Sequence, residues 1–125
     1  MKTTLQPVVR VSDLNRSIEF YARLFEIKQR VRTEQWAELP VGGTNLLLLK
    51  ADQSQKQVAE DTSKTSPCYL GVETDDLDAF HSKIVALGSR CVQPPLKQQN
   101  GDRIAIYDDP DGLALHVTEP DKFGV

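Results

Sequence analysis

The sequence predicts an α+β fold made of two β-α-β-β-β modules, and two observations carry that prediction. The segment VVRVSDLNRSIEFYARLF at residues 8–25 returns sixty-three positions later as GVETDDLDAFHSKIVALG at residues 71–88. In both copies an apolar run of period two meets Asp-Leu, at Asp13-Leu14 and Asp76-Leu77, and a helical pattern follows. A pattern repeated at fixed separation marks a duplicated unit. The second half of each unit recurs as well, at an offset of sixty-eight. Trp36-Ala37-Glu38-Leu39 answers to Ile104-Ala105-Ile106-Tyr107, and residues 43–49 answer to residues 111–117. The five additional residues of the second copy are assigned to a longer connection over residues 94–103.

The first module covers about residues 5–50. Residues 6–11 alternate in the manner of a strand, after which Ser12 or Asp13 caps a helix by accepting from its free backbone N–H groups. Leu14, Ile18, Tyr21 and Phe25 then make one apolar stripe that packs on a sheet. Strands are expected over residues 28–32, 35–39 and 45–50, with Gly42-Gly43 turning between the last two. Residues 51–66 are polar, with little apolar content, and read as a linker.

The second module covers about residues 67–119. After its first strand, Asp75 or Asp76 caps a helix with the stripe Leu77, Phe80, Ile84 and Leu87 and a stop at Gly88. Strands follow over residues 90–93, 103–107 and 113–118. The Asp108-Asp109-Pro110-Asp111 cluster is read as turn chemistry closed by Gly112 rather than as a carboxylate site.

At 125 residues and 39% hydrophobic, the chain is expected to form one domain over residues 1–125, built from two half-domains. The formal charge of −3, without a Lys/Arg cluster, excludes a nucleic-acid footprint. There is no apolar run of about eighteen residues, so no membrane partner is expected, and the protein is placed in the cytoplasm. Cys68 and Cys91 match neither a zinc ribbon nor a redox pair, and no nucleophile elbow or phosphate-binding glycine loop occurs.

The paired modules, the RVSDLNRSIEFYARLF opening and the DDPDGLALHV ending together resemble the vicinal oxygen chelate superfamily. That superfamily includes glyoxalases, bleomycin and fosfomycin resistance proteins, methylmalonyl-CoA epimerase and extradiol dioxygenases. The resemblance implies curved mixed sheets enclosing a cavity, helices on their outer faces, and a homodimer. Many members hold a divalent metal on one residue from the first and one from the last strand of each module. Those places look like Gln6, Leu48, Tyr69 and His116 here. Leu48 has no lone pair, and a neutral phenol such as Tyr69 is a poor ligand, which leaves Gln6 and His116. The expectation is therefore no cofactor. The alternative is a divalent metal such as zinc, nickel, manganese or iron on Gln6, His116 and a third group, Glu38 or Glu73, serving a lyase, isomerase or dioxygenase.

Strand alternation extends the inward set, because residues two apart share a face. It then includes Val8, Arg10, Gly71, Glu73, Leu46, Ala114 and Thr118, with Trp36, Glu38, Ile104 and Ile106 from the middle strands. The expected function is metal-independent binding of a small organic molecule, apolar or aromatic and cationic if Glu38 is ionised. Its site would be Gln6, Trp36, Glu38, Leu48, Tyr69, Ile104, Ile106 and His116, with no catalytic residue. A filled, protein-interacting module remains a further reading. His116 is open to structural, ligand-contacting and general-base roles. Arg10 and Glu73 either pair or flank an entrance. His81, off its helix's stripe, is expected in solvent.

Overall fold

In each module a strand whose residues alternate between more and less buried, exposed with buried over Val8–Val11 and half-buried with exposed over Leu70–Glu73, leads into a helix that covers one side of the sheet. The computed structural model describes residues 1–51 and 68–121, so the expected linker lies almost wholly outside the described residues. The chain divides into two compact units, one for each module.

The first module consists of β1 (Val8–Val11), α1 (Leu14–Phe25), β2 (Val31–Arg32), β3 (Trp36–Val41) and β4 (Thr44–Lys50). Its sheet has the order β1-β4-β3-β2, with β1 parallel to β4 and the other pairs antiparallel. The second module repeats this with β5 (Leu70–Glu73), α2 (Leu77–Ala86), β6 (Cys91–Lys97), β7 (Arg103–Asp108) and β8 (Ala114–Glu119), in the order β5-β8-β7-β6. Among the described residues, two helices and two open, mixed four-stranded sheets make up the α+β architecture that the repeat predicts.

The caps are the expected ones. Asp13 accepts from the Arg16 N–H at 3.1 Å, and Asp76 accepts from the Ala79 N–H at 3.0 Å, each satisfying a first-turn donor. Glu119, at the end of β8, accepts from the Leu77 N–H at 2.7 Å and ties α2 to its sheet. At the β7–β8 turn, Asp109 is only 4% exposed, and its Oδ1 accepts from the N–H groups of Asp111 and Leu113, both at 2.8 Å. That geometry is a turn and not a carboxylate centre.

Three local expectations are corrected. The buried face of α1 is Leu14, Ser17, Phe20, Tyr21 and Leu24, while Ile18 and Phe25 are only half-buried. The stripe is rotated because the small Ser17 occupies its centre, where an apolar count sees nothing. Residues 94–97 belong to β6 rather than to a loop, and the pairing with β7 shifts register between Cys91 and Gln93 and again between Gln93 and Leu96. Pro94 and Pro95 are tolerated there because β6 is an edge strand and the ladder is already interrupted. His81 is not in solvent: its Nδ1 lies 2.8 Å from the Tyr107 hydroxyl, beneath α2.

The core of each unit lies between helix and sheet. Ala37, Leu39, Leu46 and Leu48 are buried in the first, and Ala105, Tyr107, Leu115 and Val117 in the second. Each fully buried leucine contributes roughly 1.5–3 kcal/mol of hydrophobic stabilisation. No helix among the described residues is long and apolar enough to cross a membrane.

Two predictions follow from this packing. The Ser17 hydroxyl is fully buried and has no hydrogen-bond partner, so it carries an uncompensated desolvation cost. Ser17→Ala should stabilise the protein by about 1 kcal/mol, roughly 3–5 °C in Tm by circular dichroism, and a lower Tm would contradict the packing described. Burial, reinforced by Cys91 and Asp78, pushes the Tyr107 phenol up to about 12 from its ordinary 10.0. Because the folded-state value is the higher one, the phenol's contribution is fully present below about pH 10 and is lost as pH rises towards 12. Tyr107→Phe should lower stability by about 1 kcal/mol at neutral pH, through the lost His81 bond. Chemical denaturation should then show the gap from wild type closing above pH 10, and an unchanging gap would refute the assignment.

Candidate functional site

With a helix on one side of each sheet, the other side is free of helix among the described residues, and strand register decides which residues reach it. Directly opposed residues on neighbouring strands point to the same side. In the first module this gives two rows across the sheet, Val8–Leu47–Glu38 and Arg10–Leu49–Trp36. In the second the corresponding rows are Gly71–His116–Ile106 and Glu73–Thr118–Ile104.

Trp36, Glu38, Ile104, Ile106 and His116 therefore stand on the side away from the helices, as alternation predicts. Leu48 does not. It is 0% exposed and packs with Leu46 on the helix side, and Leu47 takes the open side. The cause is the turn. Val41 pairs with Thr44 across two glycines, while its equivalent Asp109 donates to the Leu113 carbonyl at 2.8 Å across three residues, so past the turn the repeat offset rises by one to sixty-nine. The counterpart of His116 is Leu47, and counting residues through the two turns would have found it. Gln6 is exposed and precedes β1, although Pro7 extends the ladder by accepting from the Leu47 N–H at 3.0 Å.

Two local constellations stand on these faces. On the first, Glu38 is paired with Arg30, whose Nη2 reaches Glu38 Oε1 at 2.5 Å and Asn45 Oδ1 at 2.6 Å. The Glu38 side chain is 17% exposed and that of Arg30 53%, so the pair is held at the surface of the sheet. Sequence reasoning missed Arg30 and Asn45, because a side chain arriving from the irregular segment before β2 leaves no periodic signal. With its charge already met, Glu38 no longer supplies the attraction for a cation that it would have alone.

On the second face the rings of Tyr69 and His116 stack, with centroids 3.9 Å apart and planes at 19°. Tyr69 is 56% exposed and forms the outer ring of the pair. Ile106 lies beside His116 in register, and Ile104 lies one row further along. Elsewhere, a hollow of about 240 Å³ opens at the start of α1 between Asp13, Asn15, Arg32, Glu34 and Lys50. Its charges are of both signs, and Arg32 donates to Asn15 across it.

The metal that the fold resemblance implies is poorly matched by these side chains. A catalytic divalent ion needs three or more N or O donors converging on one point. Among the described residues, no three His, Cys, Asp or Glu side chains converge in that way. Leu47 has no donor atom at the position equivalent to His116, and Glu38 is engaged by Arg30.

Residues 4–117 match the family model described as Glyoxalase/Bleomycin resistance protein/Dioxygenase superfamily. The chain is 33% identical over 110 residues to a protein of Bacillus licheniformis named metallothiol transferase FosB, covering 86% of this chain and 70% of that one. A protein of the same name from Shouchella clausii is 28% identical over 109 residues, covering 86% and 73%. Among solved structures, a bleomycin-binding protein complexed with bleomycin superposes with a TM-score of 0.69 at 22% identity, covering 95% of this chain and 99% of that one.

The donor set leads to a direct expectation. Protein equilibrated with zinc, nickel or manganese and then desalted should carry far less than stoichiometric metal by elemental mass spectrometry. A full complement that disappears in His116→Ala would reverse the conclusion.

Proposed function

This chain belongs to the Glyoxalase/Bleomycin resistance protein/Dioxygenase superfamily, and from that premise we propose that it is a metal-independent small-molecule-binding protein. The observation that carries the proposal is the substitution of chelating positions by rings and aliphatics on the helix-free sides of the sheets. Leu47 stands where a donor would be needed, and His116 has its ring against Tyr69. Trp36, Leu47 and Leu49 on one face and Tyr69, Ile104, Ile106 and His116 on the other are suited to a flat, largely apolar organic ligand. The bleomycin complex of the structural neighbour supports the reading by analogy of fold.

A second reading is favoured by the two relatives named metallothiol transferase. It is a divalent-metal-dependent enzyme, a transferase like those relatives or a lyase, isomerase or dioxygenase. In it, His116 would be one ligand and Gln6 another. Measured metal content separates the two readings.

Trp36 is the only tryptophan in the chain and lies on an open face, so its emission reports ligand directly. Titration with neutral and cationic polycyclic aromatics should give saturable quenching for at least one class. Leu47→Ala and Leu49→Ala, on the same face as Trp36, should weaken that binding by about 1 kcal/mol each, roughly fivefold, as expected for loss of an apolar contact. Silence from every class in a folded sample would remove the proposal.

A further inference from the structure

Gly71 is the one described glycine whose presence the backbone does not explain. Gly42, Gly43, Gly88, Gly101 and Gly112 all take positive φ, whereas Gly71 lies in an ordinary strand, β5. A Cβ built on Gly71 would meet nothing within 4 Å, so internal packing does not require glycine there either. Glycine weakens a strand and commonly marks a place where a ligand or another backbone approaches closely. This one lies directly opposite His116 in register, on the open face, two residues from Tyr69 on one side and from Glu73 on the other. Its counterpart in the first module is Val8, where no stack of rings is present.

We propose that Gly71 is a specificity-determining recess that admits the edge of a planar aromatic cation against the Tyr69–His116 stack, with Glu73 receiving its positive charge. The inference rests on the binding reading above and names the ligand class for it. The exposed Tyr69 ring presents a π face that attracts a cation. Glu73 is exposed on the same face and has no ion-pair partner among the described residues, in contrast with Glu38, which Arg30 neutralises. The charge preference of the open surface thus lies with the second module.

Proflavine, a planar aromatic cation, and 9-anthracenecarboxylate, a planar anion of similar size, test the proposal on the full chain by fluorescence titration at low salt. Wild type should bind proflavine more tightly. Gly71→Val should weaken proflavine by about tenfold or more through steric exclusion, with Tm unchanged or raised because a β-branched residue suits a strand. Gly71→Ala should shift affinity less, in the same direction, and covers a failure of the valine variant to fold. Glu73→Gln should narrow the preference for proflavine over the anion by roughly threefold, as for an exposed charge.

If Gly71→Val binds proflavine as wild type does, the recess is refuted while the binding reading stands. If wild type ignores both dyes yet other ligands quench Trp36, the ligand class is refuted alone. If Trp36 also remains silent, both fall. A change of mass by light scattering in Gly71→Val would assign the glycine to contact with a second copy and overturn the proposal.

Discussion

Which residues reach the helix-free faces of this chain depends on the two-residue period of its strands, fixed in place by a helix on one side of each sheet. Once Ala37, Leu39, Leu46 and Leu48 are buried under α1, the intervening residues Trp36, Glu38, Leu47 and Leu49 have nowhere to go but the other side. The same holds for Ala105, Tyr107, Leu115 and Val117 against Ile104, Ile106, His116 and Thr118. A slip of one residue would exchange the two sets and place Glu38 and His116 in the core. The core therefore enforces the site's register without contributing a side chain to it.

This separation lets the duplicated modules diverge where ligands are met while keeping one fold. Val8–Leu47–Glu38 corresponds to Gly71–His116–Ile106, and Arg10–Leu49–Trp36 corresponds to Glu73–Thr118–Ile104. No position in these rows is the same in both copies, and the Arg10/Glu73 pair is reversed in charge. On the helix side the correspondence is closer: Ala37 and Ala105 match, Leu46 and Leu115 match, and Val9 and Val72 are branched aliphatics at β1 and β5. Packing tolerates little change of volume, so it holds the shared residues, while the solvent-facing rows are free to differ.

What the sequence revealed follows the range of the interactions involved. Caps and turns are local, and Asp13, Asp76 and Asp109 perform the roles their neighbours predict. The repeat gave the order of elements and most of the open face. It failed at Leu48, because register through a hairpin depends on turn length, and two turns that look equivalent differ in length. It failed for α1 because a buried serine breaks the apolar stripe, and for β6 because Pro94-Pro95 reads as a strand's end unless the strand is known to lie at an edge. The His81–Tyr107 and Arg30–Glu38 contacts join residues distant in sequence by single side chains, which no periodicity encodes.

The carboxylates show how little of the chain's charge is left for ligand chemistry. Asp13, Asp76 and Asp109 accept backbone N–H groups, Asp78 and Glu119 hold Arg103, and Asp108 pairs with Arg90. These groups stabilise helix ends, turns and sheet edges, and each is committed by its geometry. On the open faces Glu38 is fixed by Arg30 and Asn45, so its position beside Leu47 serves to orient a guanidinium rather than to collect a cation. His116 is likewise committed, to a neighbouring ring instead of to the outer-sphere acceptor that usually orients a metal-bound imidazole. A fold able to hold a chelated ion thus presents here a surface of rings and aliphatics whose charge, apart from Arg10 and Glu73, is paired, and the difference lies in a few side chains rather than in the path of the backbone.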